Sequence, residues 1–311
     1  MNKEEVINEL KEKDDIKPDE YDGSYELVRK TVELLGQTGK NKLNYKDLDM
    51  LYLMTIGTWK SSFDHKREKI KDSNLSKENK KELISILDKI KDKSKNNQYS
   101  HHENSKKSDY NIGMFGTGFY TFNRGGNKPS KNEIKRFINM CVEINEAESG
   151  DGCIKIAEKN LKKDIYGLGT ASISQVLHCI KPNIFPVLNN KGIELYSKLG
   201  VDLELHNDIT YYPINTKKIK KFRDENFNFK NYRVIDTYAF TKFDLDEENS
   251  NDEENNNNDI KDNDKLQNKE INYWKIIAGQ NADQWEKFIN NDYVAFGWPK
   301  IDYEQDKKKK Q

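Results

Sequence analysis

The residues of this chain with the clearest chemical potential lie in Ile165-Tyr166-Gly167-Leu168-Gly169-Thr170. Two glycines around an apolar residue permit a tight backbone turn that a Cβ would obstruct. An apolar pattern follows at Ile173, Val176, Leu177 and Ile180, so the turn opens a helix. The first N–H groups of a helix have no partner within it, and together with the macrodipole they favour an anion. Backbone donors at Gly167 and Gly169, hydroxyls at Thr170 and Ser172, and supplementary charge at Lys181 and Lys191 form a set suited to gripping a DNA phosphate. The competing reading is a glycine-containing turn between two core helices. No titratable cluster or metal-ligand set identifies an active site, and no cofactor is expected.

The turn, its helix, Pro182, Phe185-Pro186-Val187 and a new helix near Gly192 together resemble the hairpin of the helix-hairpin-helix DNA glycosylases. The catalytic positions that this resemblance marks are occupied here by Ala171 and Asn189. Alanine cannot form a Schiff base, and an amide cannot serve as a carboxylate base. The resemblance therefore implies a binding version of that fold. The alternative is a divergent glycosylase using Asn189 with another residue such as Asp164, and a third reading is a scaffold that binds protein and not DNA.

The elements that must hold this hairpin read as a multi-helix body over residues 1–243. Ser24 is expected to cap a helix through Leu35 that ends at Gly36 and Gly39, and Asp47 to start a strongly apolar helix through Ile56. Ser76 precedes an amphipathic helix with Leu83, Ile84, Leu87 and Ile90 on one face and lysines on the other. Ser130 and Glu133 form a capping box before Ile134, Phe137, Ile138 and Cys141. Gly150-Asp151-Gly152 reads as a turn, followed by a short basic helix over 153–162. Asn215 or Thr216 is expected to cap a basic helix, and residues 231–240 to form a last helix, with a strand as the alternative. Residues 112–122, glycines interleaved with aromatics, suggest a packed aromatic turn or a platform on which a base could stack. His101 and His102 have no partner at metal-ligand spacing.

Hydrophobic and charged residues each make up 34% of the chain, so a large share of it must be surface or disordered. The zero net charge is unevenly placed. Residues 244–270 hold eleven Asp/Glu and three Lys, a net of −8; residues 271–311 hold seven Lys and six acids, or +1; the body is therefore about +7 by difference. An acidic, nearly apolar-free segment cannot offset its ordering entropy, so 244–270 is expected to be a disordered linker. Beyond it, Tyr273–Ala278, a turn with a helix bearing Trp285 and Phe288, and Asp292–Trp298 read as a small β-α-β unit. Three cysteines, Cys141, Cys153 and Cys179, are expected as reduced thiols. The N-terminal residues lack a signal-like apolar region and no run is long enough to cross a membrane, so a cytoplasmic protein is expected.

Residues 273–298, with their W-K-I strand, G-x-N-A turn and G-W ending, resemble the start of an EVE/PUA-like domain. Residues 112–122 and 171–192 are similar to the N-terminal region of McrB-like proteins of modification-dependent restriction systems. The resemblance implies a non-catalytic DNA-recognition module for anti-phage defence, with Trp274, Trp285 and Trp298 available to line a pocket for a flipped modified cytosine. It also implies an AAA+ motor and a nuclease as partner subunits, since no Walker A sequence occurs in this chain.

Overall fold

The computed structural model describes residues 3–12, 22–39, 41–56, 63–95 and 128–239, all of which fall within one unit, Met1–Asn256. The expected aromatic turn at 112–122, His101 and His102, the acidic linker, the β-α-β unit and its three tryptophans lie outside the described residues. What is described is mainly helical. An isolated antiparallel bridge pairs Ile165 with Leu168. No described helix is long and apolar enough to cross a membrane.

The helices are α1 (Lys3–Glu12), α2 (Asp22–Gln37), α3 (Tyr45–Thr55), α4 (Phe63–Asp72), α5 (Lys77–Lys95), α6 (Lys131–Glu146), α7 (Gly150–Asn160), α8 (Thr170–Ile180), α9 (Asn190–Lys198), α10 (Tyr212–Asn226) and α11 (233–239). Helix α2 is the hub and packs against α3, α5, α6 and α8. Leu27, Val28, Val32, Leu34 and Leu35 bury its apolar stripe. Their spacing is that of a helix with one wide apolar face.

Several helix starts differ from the sequence expectation, each for a local reason. Helix α2 begins at Asp22, so Ser24 sits buried in its first turn and does not cap it. The same helix runs through Gly36, whose missing side chain lets Val142 of α6 approach: a Cβ there would meet Val142 Cγ1 at 3.0 Å. Asn44 caps α3, and Asp47 is the third helical residue returning the bond to Asn44 N–H. Gly150, Asp151 and Gly152 form the first turn of α7, capped by Ser149. Helix α10 starts at Tyr212 with Pro213 in its first turn, where a missing N–H costs nothing. Asn215 instead pairs with both backbone groups of Glu204, at 2.8 and 2.9 Å. The Ser130–Glu133 capping box of α6 is present as expected.

Helix α4 carries a feature with no expectation attached to it. Lys66 is fully buried and donates to the carbonyls of Leu53 at 2.8 Å and Ile56 at 2.6 Å. It thus closes the C-terminal end of α3, whose last carbonyls lack helical partners. The first and last described helices also meet: Tyr238 donates to Glu9 at 2.7 Å, and the Lys3 ammonium lies 5.5 Å from the Phe222 ring centre.

Candidate nucleic-acid interface

Helices α7 and α8 are joined by a turn whose backbone is fixed by one glycine. Leu168 N–H donates to Ile165 O at 3.0 Å, closing a four-residue turn. Gly167 stands at its third position with φ +75°, as a type II turn requires. Gly169 is different. It is the N-cap of α8 with φ −84°, an ordinary extended value, and a Cβ built on it would meet nothing within 4 Å. Its conformation therefore needs no glycine, and the space in front of it is open.

Gly169 supplies no side-chain cap. Ile173 N–H is the first to reach a carbonyl, that of Gly169, at 3.1 Å. The N–H groups of Thr170, Ala171 and Ser172 precede it and have no carbonyl partner among the described residues. Three donors at an uncapped, accessible helix start can accept an anion.

The hydroxyls do not join them. Ser172 is buried and accepts from Tyr52 OH at 3.4 Å, which also donates to Gln175 at 3.2 Å. Thr170 is buried, and its Oγ1 finds no hydrogen-bond partner among the described residues. Ser172 belongs to the packing of α8 on α3. Lys181 is the C-cap of α8, at the end opposite the turn and roughly 16 Å away along the axis. Lys191 lies half-buried on the first turn of α9. The structure thus brings Gly167, Gly169 and the α8 N–H groups together, and sets Lys181 at the other end of α8.

The turn is held from α6. Glu133 accepts Tyr166 N–H at 3.0 Å while also closing the capping box through Ser130 N–H at 2.7 Å. Arg136 Nη2 donates to the carbonyls of Lys163 and Asp164, at 2.9 and 2.5 Å. Partial burial works to raise the Glu133 carboxyl, but the bonds from Ser130 and Tyr166 and the Arg136 charge outweigh it and hold it below its ordinary range. Asp164 is exposed and contributes its backbone.

At the far side of α8, Ser174 Oγ accepts Leu188 N–H at 3.0 Å and donates to Ala171 O at 2.9 Å. This draws the segment before α9 against the start of α8. Asn189 caps α9 through Gly192 N–H at 2.8 Å and donates to Asp236 at 3.3 Å. Asp236 is buried and ion-paired with Arg233 on the same helix. Burial raises its carboxyl, against the opposing pull of Arg233 and Asn189. The i, i+3 spacing of Arg233 and Asp236 was the signal available for this pair. His178 is also buried; its Nδ1 pairs with Phe185 O at 2.9 Å and its Nε2 with Tyr25 OH at 3.3 Å. Burial pushes it down to about 3, so the ring is neutral and structural. Cys141, Cys153 and Cys179 are buried free thiols. Among the described residues no group of three or more His, Cys, Asp or Glu could hold a metal.

The lysines separate into two classes. On α10 they are neutralised: Lys217 pairs with Glu158, Lys218 with Glu204, and Lys220 with Asp224, at 3.0, 3.0 and 3.1 Å. Lys162 and Lys163, which lead into the turn, are exposed and make no ion pair with a described residue. Comparison with known proteins finds no matching family model, no matching curated protein and no matching solved structure.

Proposed function

We propose that the chain is a non-catalytic DNA-recognition module whose α7–turn–α8 hairpin grips a backbone phosphate in the manner of helix-hairpin-helix proteins. The observation that carries this reading is Gly169: a glycine with ordinary backbone angles, open space before it, and three N–H groups behind it that have no partner among the described residues. A phosphate fits that place by charge and by geometry. The likeness of 112–122, 171–192 and 273–298 to McrB-like and EVE/PUA-like sequences supports a role in modification-dependent restriction, with an AAA+ motor and a nuclease supplied by other subunits.

The test is a fluorescence-anisotropy titration of the full chain on plain and cytosine-modified duplexes at two salt concentrations. Tighter binding to the modified duplex that survives raised salt is the expected result. Equal binding to both, vanishing with salt, reduces the reading to charge attraction. The Asn189–Asp236 contact gives the glycosylase alternative its one support, because it sets a carboxylate against the amide position. That carboxylate is bound to Arg233 and buried. Absence of base release from lesion-containing duplexes dismisses this alternative.

A further inference from the structure

We propose that a second nucleic-acid contact lies beside the hairpin, on a cationic face made by residues 41–46, 128–136 and 162–169. This inference rests on the DNA-binding reading and extends it to residues that the hairpin motif does not contain.

Contacts between the three segments place them side by side. Arg136 and Glu133 of α6 hold the 162–169 segment through the bonds described above. Lys135 Nζ donates to Asn41 at 3.1 Å, and Lys128 Nζ stands 4.4 Å from the Tyr45 ring centre. The start of α6 is therefore the middle of a surface with the hairpin on one flank and the α3 entry loop on the other.

The charge on this surface is one-sided. The segments carry two, four and two Lys or Arg respectively, against one acid each in the second and third. One of those acids, Glu133, is already occupied by two backbone N–H groups. Lys42, Lys46, Lys128, Lys131, Lys162 and Lys163 are exposed and make no ion pair with a described residue. A structural lysine face looks like α10, where each charge has a carboxylate within reach. A face whose ammonium groups make no ion pair with a described residue, beside an anion-accepting helix start, fits a polyanion of regularly spaced charge. With the hairpin fixing one phosphate, these lysines reach neighbouring phosphates of the same duplex.

The test compares three forms of the full chain on a plain duplex over a range of salt: wild type, K42Q/K46Q/K128Q/K131Q, and K217Q/K218Q/K220Q/K221Q. All substituted side chains are exposed or half-exposed, and thermal melting confirms that each variant is folded. The first variant should lose at least tenfold in low-salt affinity, and its slope of log affinity against log salt should fall by about 0.9 per phosphate contact removed. The second, with the same formal charge change, should lose much less. Equal losses in both variants would mean a general charge effect and overturn the proposal. Unchanged binding in the first variant, with binding abolished by Gly169→Asp, would overturn it and leave the hairpin reading standing. No duplex binding by wild type would defeat the hairpin reading itself. If wild type then binds phosphatidylserine vesicles and the first variant does not, the face serves a membrane surface and the proposal falls with that reading.

Discussion

Gly167 and Gly169 sit two residues apart and carry opposite predictions. Gly167 holds φ +75°, a region that disfavours a side chain by about 1–2 kcal/mol. Gly167→Ala should therefore lower the melting temperature, with DNA affinity falling only as the fold does. Gly169→Asp should do the reverse. Its backbone suits an N-cap, Asp is among the preferred N-cap residues, and its charge complements the helix dipole, so stability should hold or rise by up to about 1 kcal/mol. The same carboxylate would fill the anion site, and duplex affinity should fall at least tenfold. Denaturant unfolding and anisotropy measured on both variants check the pair. The value of the two glycines was legible in the sequence because a turn is a local object. The inward placement of Ser172 was not, because it depends on Tyr52 of α3, more than a hundred residues away in the chain.

At the scale of elements, Lys66 joins α4 to the end of α3, and its titration should be visible in stability. Burial lowers it to about 7, against an ordinary value of 10.5. Between those two values the unfolded chain binds more protons than the folded one, so stability rises with pH across that window. His178 works in the same direction lower down: its folded value of about 3 lies beneath 6.5, so stability is lost as pH falls below 6.5. Denaturant midpoints measured at pH 7 and pH 9 should show the first effect, and Lys66→Met should flatten it. The variant should also be destabilised at pH 9, because the carbonyls of Leu53 and Ile56 lose their donor. The existence of α5, α6 and α8 could be read from period alone, and the start of α6 from its capping box. The starts of α2, α3, α7 and α10 could not be. Several Ser, Asn, Asp and Gly residues compete for each cap, and tertiary contacts choose among them, as Glu204 does in claiming Asn215. Phe63, Lys66 and Ile70 share one helical face, which was the only hint that this lysine is buried.

For the whole molecule the governing quantity is the separation of charge along the chain. Residues 244–270 carry a net of −8, which outweighs the excess of about +7 on the body. Deleting them should tighten duplex binding at low salt, and the gain should shrink as screening shortens the reach of charge to about 10 Å and below. Anisotropy of the deletion variant across a salt series measures it. Total charge was legible from composition, but which lysines are spent on carboxylates was not: the basic run of α10 is paired, and the scattered lysines of three distant segments make no ion pair with a described residue. The contact of Tyr238 with Glu9 has a consequence of another kind. It brings the outermost helices of the described body together, so the order in which the chain visits its helices is nearly a closed loop. A circular permutant of residues 3–239, opened in the surface loop at 202–208 with Ala239 joined to Lys3 by a short linker, would keep every helix-to-helix contact described above. Without permutation, residues 3–239 could be carried inside another protein, with both connections on the side where α1 meets α11.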